Sequence, residues 1–195
     1  ILQDRRGFMW FATRDGLNRY DGNTFVVYKH NPNDPGSLSA NFVDDLIEDD
    51  QGYLWIATHT GGVNKFDPRT ERFTHYRHDP NNPNTISGNR VESIARDSRG
   101  YLWFGTQDNG LDKFDPTTGT FAHYREDSDG QFVGRITHIM EDRHRDIWFV
   151  GENGLFHLNP QTGQITRPPA SIRDLAADYV CEDNVGNIWM LAWSP

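Results

Sequence analysis

Five acidic turns recur along the chain, at Asp4, Asp49, Asp97, Asp142 and Asp183, and each is followed six residues later by a tryptophan, at Trp10, Trp55, Trp103, Trp148 and Trp189. Carboxylates in glycine-bearing turns could hold calcium, but a calcium loop needs an alternating series of oxygen donors closed by a glutamate. Turns such as Asp97-Ser-Arg-Gly100 lack both, so their aspartates are expected to cap the amides of hairpin turns. The eight histidines raise the question of a transition metal. His75 and His123 fall at the same place in successive repeats, and His75 with His78 has no further ligand cluster, so solvated histidines and no metal are expected. Cys181 lies in an apolar strand column, which predicts a buried, inert thiol, and as the single cysteine it excludes an internal disulfide. The tryptophans sit mid-strand in apolar runs and are expected in the core rather than against a sugar; Trp193 stands outside that column. No carboxylate pair or Ser/His/Asp set occupies a distinctive, non-repeating position, so no catalytic residue and no cofactor is assigned.

The elements that must position these side chains follow from the period. The tryptophans lie 45, 48, 45 and 41 residues apart, a spacing typical of repeat architectures. Each repeat carries four strand-like segments. The first reads Val43–Glu48, Val91–Arg96, Ile136–Glu141 and Ala177–Glu182, with two adjacent apolar columns, as an innermost strand requires. The second is the tryptophan strand, apolar on both faces, and the third, as in Gly62–Asp67, alternates as a half-buried strand. The fourth, as in Thr120–Tyr124, follows Pro/Gly turns such as Asp115-Pro-Thr-Thr-Gly119. The fold class is therefore all-β, with β-propeller blades of four antiparallel strands. Blade units begin near 1, 42, 90, 135 and 176, giving about four and a half blades over 1–195 as a single, partial or open propeller segment. Such a segment is expected to be a piece of a larger ring, completed by the remaining blades or by a second copy.

Because successive strands alternate direction, the second-to-third loops and the blade-to-blade loops emerge at one end of every blade. The irregular residues collect there. They are Arg14 and Asp15, His59 and Thr60, Gln107, Asp108 and Asn109, and Glu152 and Asn153, beside the long connections 29–42, 77–90 and 125–135. Loops on a rigid scaffold are where binding residues concentrate, and a polar, amide-rich rim suits a hydroxyl-rich small molecule such as a glycan. These nine residues are the candidate ligand contacts.

Composition sets further bounds. A formal net charge of −9 with scattered basic residues argues against nucleic acid as a partner. Apolar runs such as Tyr53–Ala57 are far short of the roughly 20 residues a membrane helix needs, so no direct membrane insertion is expected.

The pattern that runs from Asp97 to Asp115 (Asp-x-x-Gly-x-Leu-Trp-x-Gly-Thr, then Gly-Leu-x-x-Phe-Asp), with the in-register linkers 28–41 and 76–89, resembles the two-component regulator propeller repeat. The resemblance covers nearly the whole chain. It implies the periplasmic sensor region of a transmembrane receptor, sensing a ligand by binding and not catalysis, with a histidine kinase or diguanylate cyclase as output elsewhere in the parent. A protein-interaction scaffold is the alternative, and a propeller lyase or hydrolase comes third.

Overall fold

The recurrent aspartate and tryptophan are joined by a hydrogen bond in every repeat. The indole Nε1 of Trp10, Trp55, Trp103, Trp148 and Trp189 donates to Oδ2 of Asp4, Asp49, Asp97, Asp142 and Asp183 at 2.8, 2.8, 3.1, 2.8 and 2.8 Å. The other carboxylate oxygen accepts two backbone amides of the turn, as when Asp97 Oδ1 takes Arg99 N at 3.0 Å and Tyr101 N at 2.9 Å. The aspartates thus cap hairpin turns, as the sequence leads one to expect, and they also anchor the central strand.

The computed structural model describes residues 1–169 and 175–192. Trp193 lies outside the described residues. Among the described residues eighteen strands occur in the order β1 (Leu2–Gln3), β2 (Met9–Thr13), β3 (Gly16–Tyr20), β4 (Phe25–Tyr28), β5 (Val43–Glu48), β6 (Leu54–Thr58), β7 (Gly62–Asp67), β8 (Arg72–Tyr76), β9 (Val91–Arg96), β10 (Leu102–Thr106), β11 (Leu111–Asp115), β12 (Thr120–Tyr124), β13 (Ile136–Glu141), β14 (Ile147–Gly151), β15 (Gly154–Asn159), β16 (Gln164–Thr166), β17 (Ala177–Glu182) and β18 (Ile188–Ala192). They form four sheets of four strands, each a meander in chain order, and the two-stranded sheet β17–β18. No helix occurs among the described residues. The all-β blade architecture read from the repeat is therefore present, strand for strand.

The chain packs as two compact units, Ile1–Ile94 and Ala95–Pro195, the division falling within β9. In the first, Trp10 and Leu17 pack on Leu54, Ile56, Phe66 and Phe73 of the second sheet, with the Trp10 and Phe66 ring centres 5.5 Å apart. In the second, Trp103 and Leu111 pack in the same way on Phe149, Phe156 and Ile165, and Val150 and Leu155 pack on Ala177 and Val180. Polar buckles reinforce the stacking. Arg5 donates its amide and its Nε to the Glu48 carboxylate, both at 2.9 Å; Ser98 meets Glu141 and Arg143 meets Glu182 in the same way.

Several expectations need correction. Trp10, Trp55 and Trp103 are core, but Trp148 is only half-buried and Trp189 is 60% exposed. Cys181 is exposed too, not buried. Its column and the tryptophan column both face the following sheet, and no sheet follows β17–β18 among the described residues. The third strand is more than half-buried: most of β7 is enclosed, with Asn64 fully buried and bonded to Ser39. The histidines are not simply solvated. His30 and His78 bond to the carbonyls of Leu38 and Ile86 at 2.8 and 2.9 Å and hold the long connections closed, while His75 meets Ser37 O at 2.7 Å and His123 meets Asp112 at 2.6 Å.

One further repeated device shapes the rim. The hydroxyls of Thr13, Thr58 and Thr106 donate to the carbonyls of Gly16, Gly62 and Gly110, each at 2.8 Å, and accept an amide from the intervening loop. Gly110 has φ +81°, and a Cβ there would lie 2.6 Å from the Tyr124 carbonyl, so only glycine fits this approach. In the fourth blade Gly151 stands where the others have the threonine, and the loop that follows is not held by a hydroxyl.

Two outcomes follow for stability, both readable by urea denaturation. Asp97→Ala strands a buried indole N–H and two turn amides and is expected to cost about 3 kcal/mol, whereas Asp183→Ala, at an exposed tryptophan, has a much smaller effect; equal losses would contradict the role given to burial. Thr106→Val is expected to cost about 1–2 kcal/mol by leaving the Gly110 carbonyl and the Asn109 amide unpaired.

Candidate functional site

In the first unit the loop between β2 and β3 carries Arg14 and Asp15. Asp15 is well exposed and pairs with Lys29 at 2.6 Å, and the Arg14 guanidinium lies 5.4 Å over the Phe42 ring. His59, after β6, stacks on that same ring with centres 4.6 Å apart and planes at 14°. Its Nε2 lies 3.1 Å from Nη2 of Arg90 and its Nδ1 is 3.5 Å from an Asp44 carboxylate oxygen. An arginine can only donate, so Nε2 is the acceptor and the imidazole proton sits on Nδ1, facing Asp44. Arg14 and His59 are therefore brought together on Phe42, which the sequence did not single out; Thr60 is exposed beside them. Nearby, Asp45 is half-buried, and partial removal from water pushes its carboxyl above the usual range although it accepts the Ile94 and Leu46 amides.

In the second unit Gln107, Asp108 and Asn109 form the loop after β10. Asn109 is fixed by its amide on Thr106, Asp108 is exposed, and the Gln107 side-chain oxygen is buried without a hydrogen bond among the described residues. The loop after β14 brings Glu152 and Asn153 into a cleft of about 360 Å³ with Gln131, Phe132 and Arg167. Asn153 Nδ2 donates to the Phe132 carbonyl at 3.2 Å, the Asn153 carbonyl accepts from Arg167 at 2.5 Å, and Glu152 Oε1 lies 3.4 Å from the Arg135 amide. Arg167 is held from behind by Asp127 at 3.3 Å and by the Phe156 ring at 4.7 Å. Phe132 is 45% exposed. A flat, exposed ring bordered by a carboxylate, two amides and a guanidinium offers an apolar floor with convergent hydrogen-bonding groups, as a small polar ligand needs.

Phe132 and Arg167 were not among the residues chosen from the sequence. The signal for Phe132 was an aromatic in the connection 125–135, which lacks the His-Asp/Asn-Pro pattern of the other two connections. Among the described residues one group has metal-like spacing, Asp142, Asp146 and His157, with ligand atoms within 4.8 Å. Its members have structural partners: Asp142 holds Trp148 and the turn amides, and His157 spends its nitrogens on Asp146 and Thr166.

The sequence profile of the two component regulator propeller family matches residues 37–60 and 85–108. Histidine kinase P4 of Formosa agariphila is 54% identical over 39 residues, 20% of this chain and 3% of that protein. Among solved structures, the extracellular domain assigned to a hybrid two component system of B. thetaiotaomicron superposes with a TM-score of 0.85 at 28% identity, over 97% of this chain and 26% of that one. A second extracellular domain from B. thetaiotaomicron, assigned to a one component system, gives 0.79 at 26% identity, over 98% of this chain and 28% of that one. The chain thus spans about a quarter of the length of these solved domains. With its Asp–Trp turns, four-stranded sheets and these matches, the chain carries repeats of the two-component regulator propeller type.

Proposed function

We propose that the chain is a ligand-sensing part of the extracytoplasmic region of a bacterial transmembrane signalling receptor, in the periplasm, and that it acts by binding and not by catalysis. The observation that carries this reading is the likeness to the extracellular domain of a hybrid two component system, at a TM-score of 0.85 over 97% of the chain. The short, closer match to a histidine kinase supports a kinase as the output of the parent protein. Two rim side chains able to move protons have other duties, since His59 is committed to Phe42 and Arg90 and Glu152 lies against a backbone amide, and this favours recognition as the task of the rim.

The cleft around Phe132 is the part of the rim best suited to a hydroxyl-rich ligand. A sugar ring laid on the phenyl face would place its hydroxyls against Gln131, Glu152, Asn153 and Arg167, which supply both donors and acceptors. A thermal-unfolding screen against oligosaccharides tests this. A ligand bound only by the folded chain raises apparent stability by about 2.7 kcal/mol at a concentration one hundred times its Kd. The expected outcome is a shift that Phe132→Ala and Glu152→Gln each cut sharply while leaving the ligand-free melting temperature nearly unchanged. A shift of the same size in the parent chain and in both variants would place the ligand elsewhere.

A further inference from the structure

A second cleft lies at the end of the blades opposite the candidate rim, along the seam between the first two sheets. It measures about 460 Å³ and is bordered by the β1–β2, β5–β6 and β7–β8 turns. Three guanidiniums, those of Arg5, Arg6 and Arg69, line it against two carboxylates, Glu48 and Asp67. The cleft is therefore cationic, on a chain whose formal net charge is −9.

The carboxylates are already engaged. Glu48 accepts the amide and Nε of Arg5, both at 2.9 Å, and Asp67 accepts Nε of Arg69 at 3.1 Å. At the edge of the seam, Glu71 is shared between Arg19 at 3.0 Å and the Tyr28 hydroxyl at 2.9 Å. Arg6 is left without a carboxylate among the described residues. Its guanidinium lies 5.0 Å over the Phe8 ring, and its side chain makes one long hydrogen bond, 3.5 Å, to the Pro68 carbonyl. Arg99, at the same place in the third sheet, folds back onto its own turn aspartate, Asp97, at 3.2 Å. Arg6 reaches across the seam instead and presents its remaining N–H groups to the cleft.

The groups around it are fixed in advance. Arg69 donates from Nη2 to the Tyr53 hydroxyl at 2.7 Å, and Arg5 donates from Nη1 to the Asp50 carbonyl at 2.6 Å. Two of the three cations are thus held in place by the protein, which lowers the cost of ordering them around a ligand. The exposed Gln51 adds an amide that can both donate and accept. A planar guanidinium fork matches a carboxylate with two parallel hydrogen bonds, and the volume suits a small molecule.

We infer that this cleft binds a small carboxylated molecule of about the size of a sugar acid, with its carboxylate on Arg6 and its polar remainder against Gln51 and Arg69. The site is separate from the cleft around Phe132 and selects for a charge, where that one selects for hydroxyls.

Titration of the 195-residue chain with sodium glucuronate, followed by backbone amide resonances, tests this. Glucose, which lacks the carboxylate, and sodium chloride at matched ionic strength serve as comparisons. Saturable shifts are expected at the amides of 51–53 and 69, with a Kd of about 1 mM or tighter, and neither glucose nor chloride should reproduce them. Arg6→Gln, at an exposed position, should raise that Kd about tenfold or more, as removal of a charge-assisted pair does. The titration of the unaltered chain needs no substitution and decides the matter by itself. Shifts confined to 131–135 and 152–153, shifts at 51–53 and 69 that glucose or chloride produces equally, or a Kd unchanged in Arg6→Gln would each overturn the proposal.

Discussion

The hydrogen bond from the tryptophan indole to the turn aspartate is the constraint on which the rest of the structure depends. One carboxylate fixes two turn amides and the polar edge of the largest side chain in the blade, so hairpin shape and core position are set together. A buried indole N–H without an acceptor is costly, and so is a buried carboxylate without donors. Where Asp97 and Trp103 are both enclosed, each satisfies the other. At Asp183 and Trp189 the same geometry survives in the open, and the indole N–H with the Asn187 side chain and amide holds that carboxyl well below the usual range. The bond is thus a property of the local turn, and burial raises what it contributes.

A scaffold fixed in this way leaves the other end of each blade free to vary. The threonine-to-glycine bond closes the loop after the central strand in three blades, and histidine and asparagine side chains close the connections 29–42 and 77–90 in the same way. Much of the polar, amide-rich character of that end is therefore spent on its own backbone. The fourth blade departs from the pattern at both loops, and there an exposed phenylalanine and a braced arginine border a cleft. Variation against a regular background is what separates a recognition surface from turn chemistry.

The strands were legible because their signals are local: glycine and proline punctuation, a tryptophan in each central strand, and paired apolar columns. What could not be read one repeat at a time was burial that depends on a neighbour. Trp148, Trp189 and Cys181 match the columns of their buried counterparts, yet their exposure is decided by the sheet laid against them. The buckle between Arg5 and Glu48 links residues 43 positions apart and has no signature within either repeat. The roles of His30 and His78 as loop closures were hidden for the opposite reason, since their partners are backbone carbonyls that a sequence does not display. In the candidate site, Glu152 and Asn153 were legible as an irregular loop, whereas Arg167 reaches them only through the folding back of β16.

The central claim is that the tryptophans hold the blades together and the variable loops meet the ligand. It is tested most directly by mapping amide and indole resonances during titration with a bound oligosaccharide. The account predicts that shifts concentrate on the backbone and side-chain amides of 131–135 and 152–153, while the indole resonances of Trp10, Trp55 and Trp103 stay in place. Shifts centred on those indoles or on the aspartate turns, with the 131–135 and 152–153 amides unmoved, would contradict it.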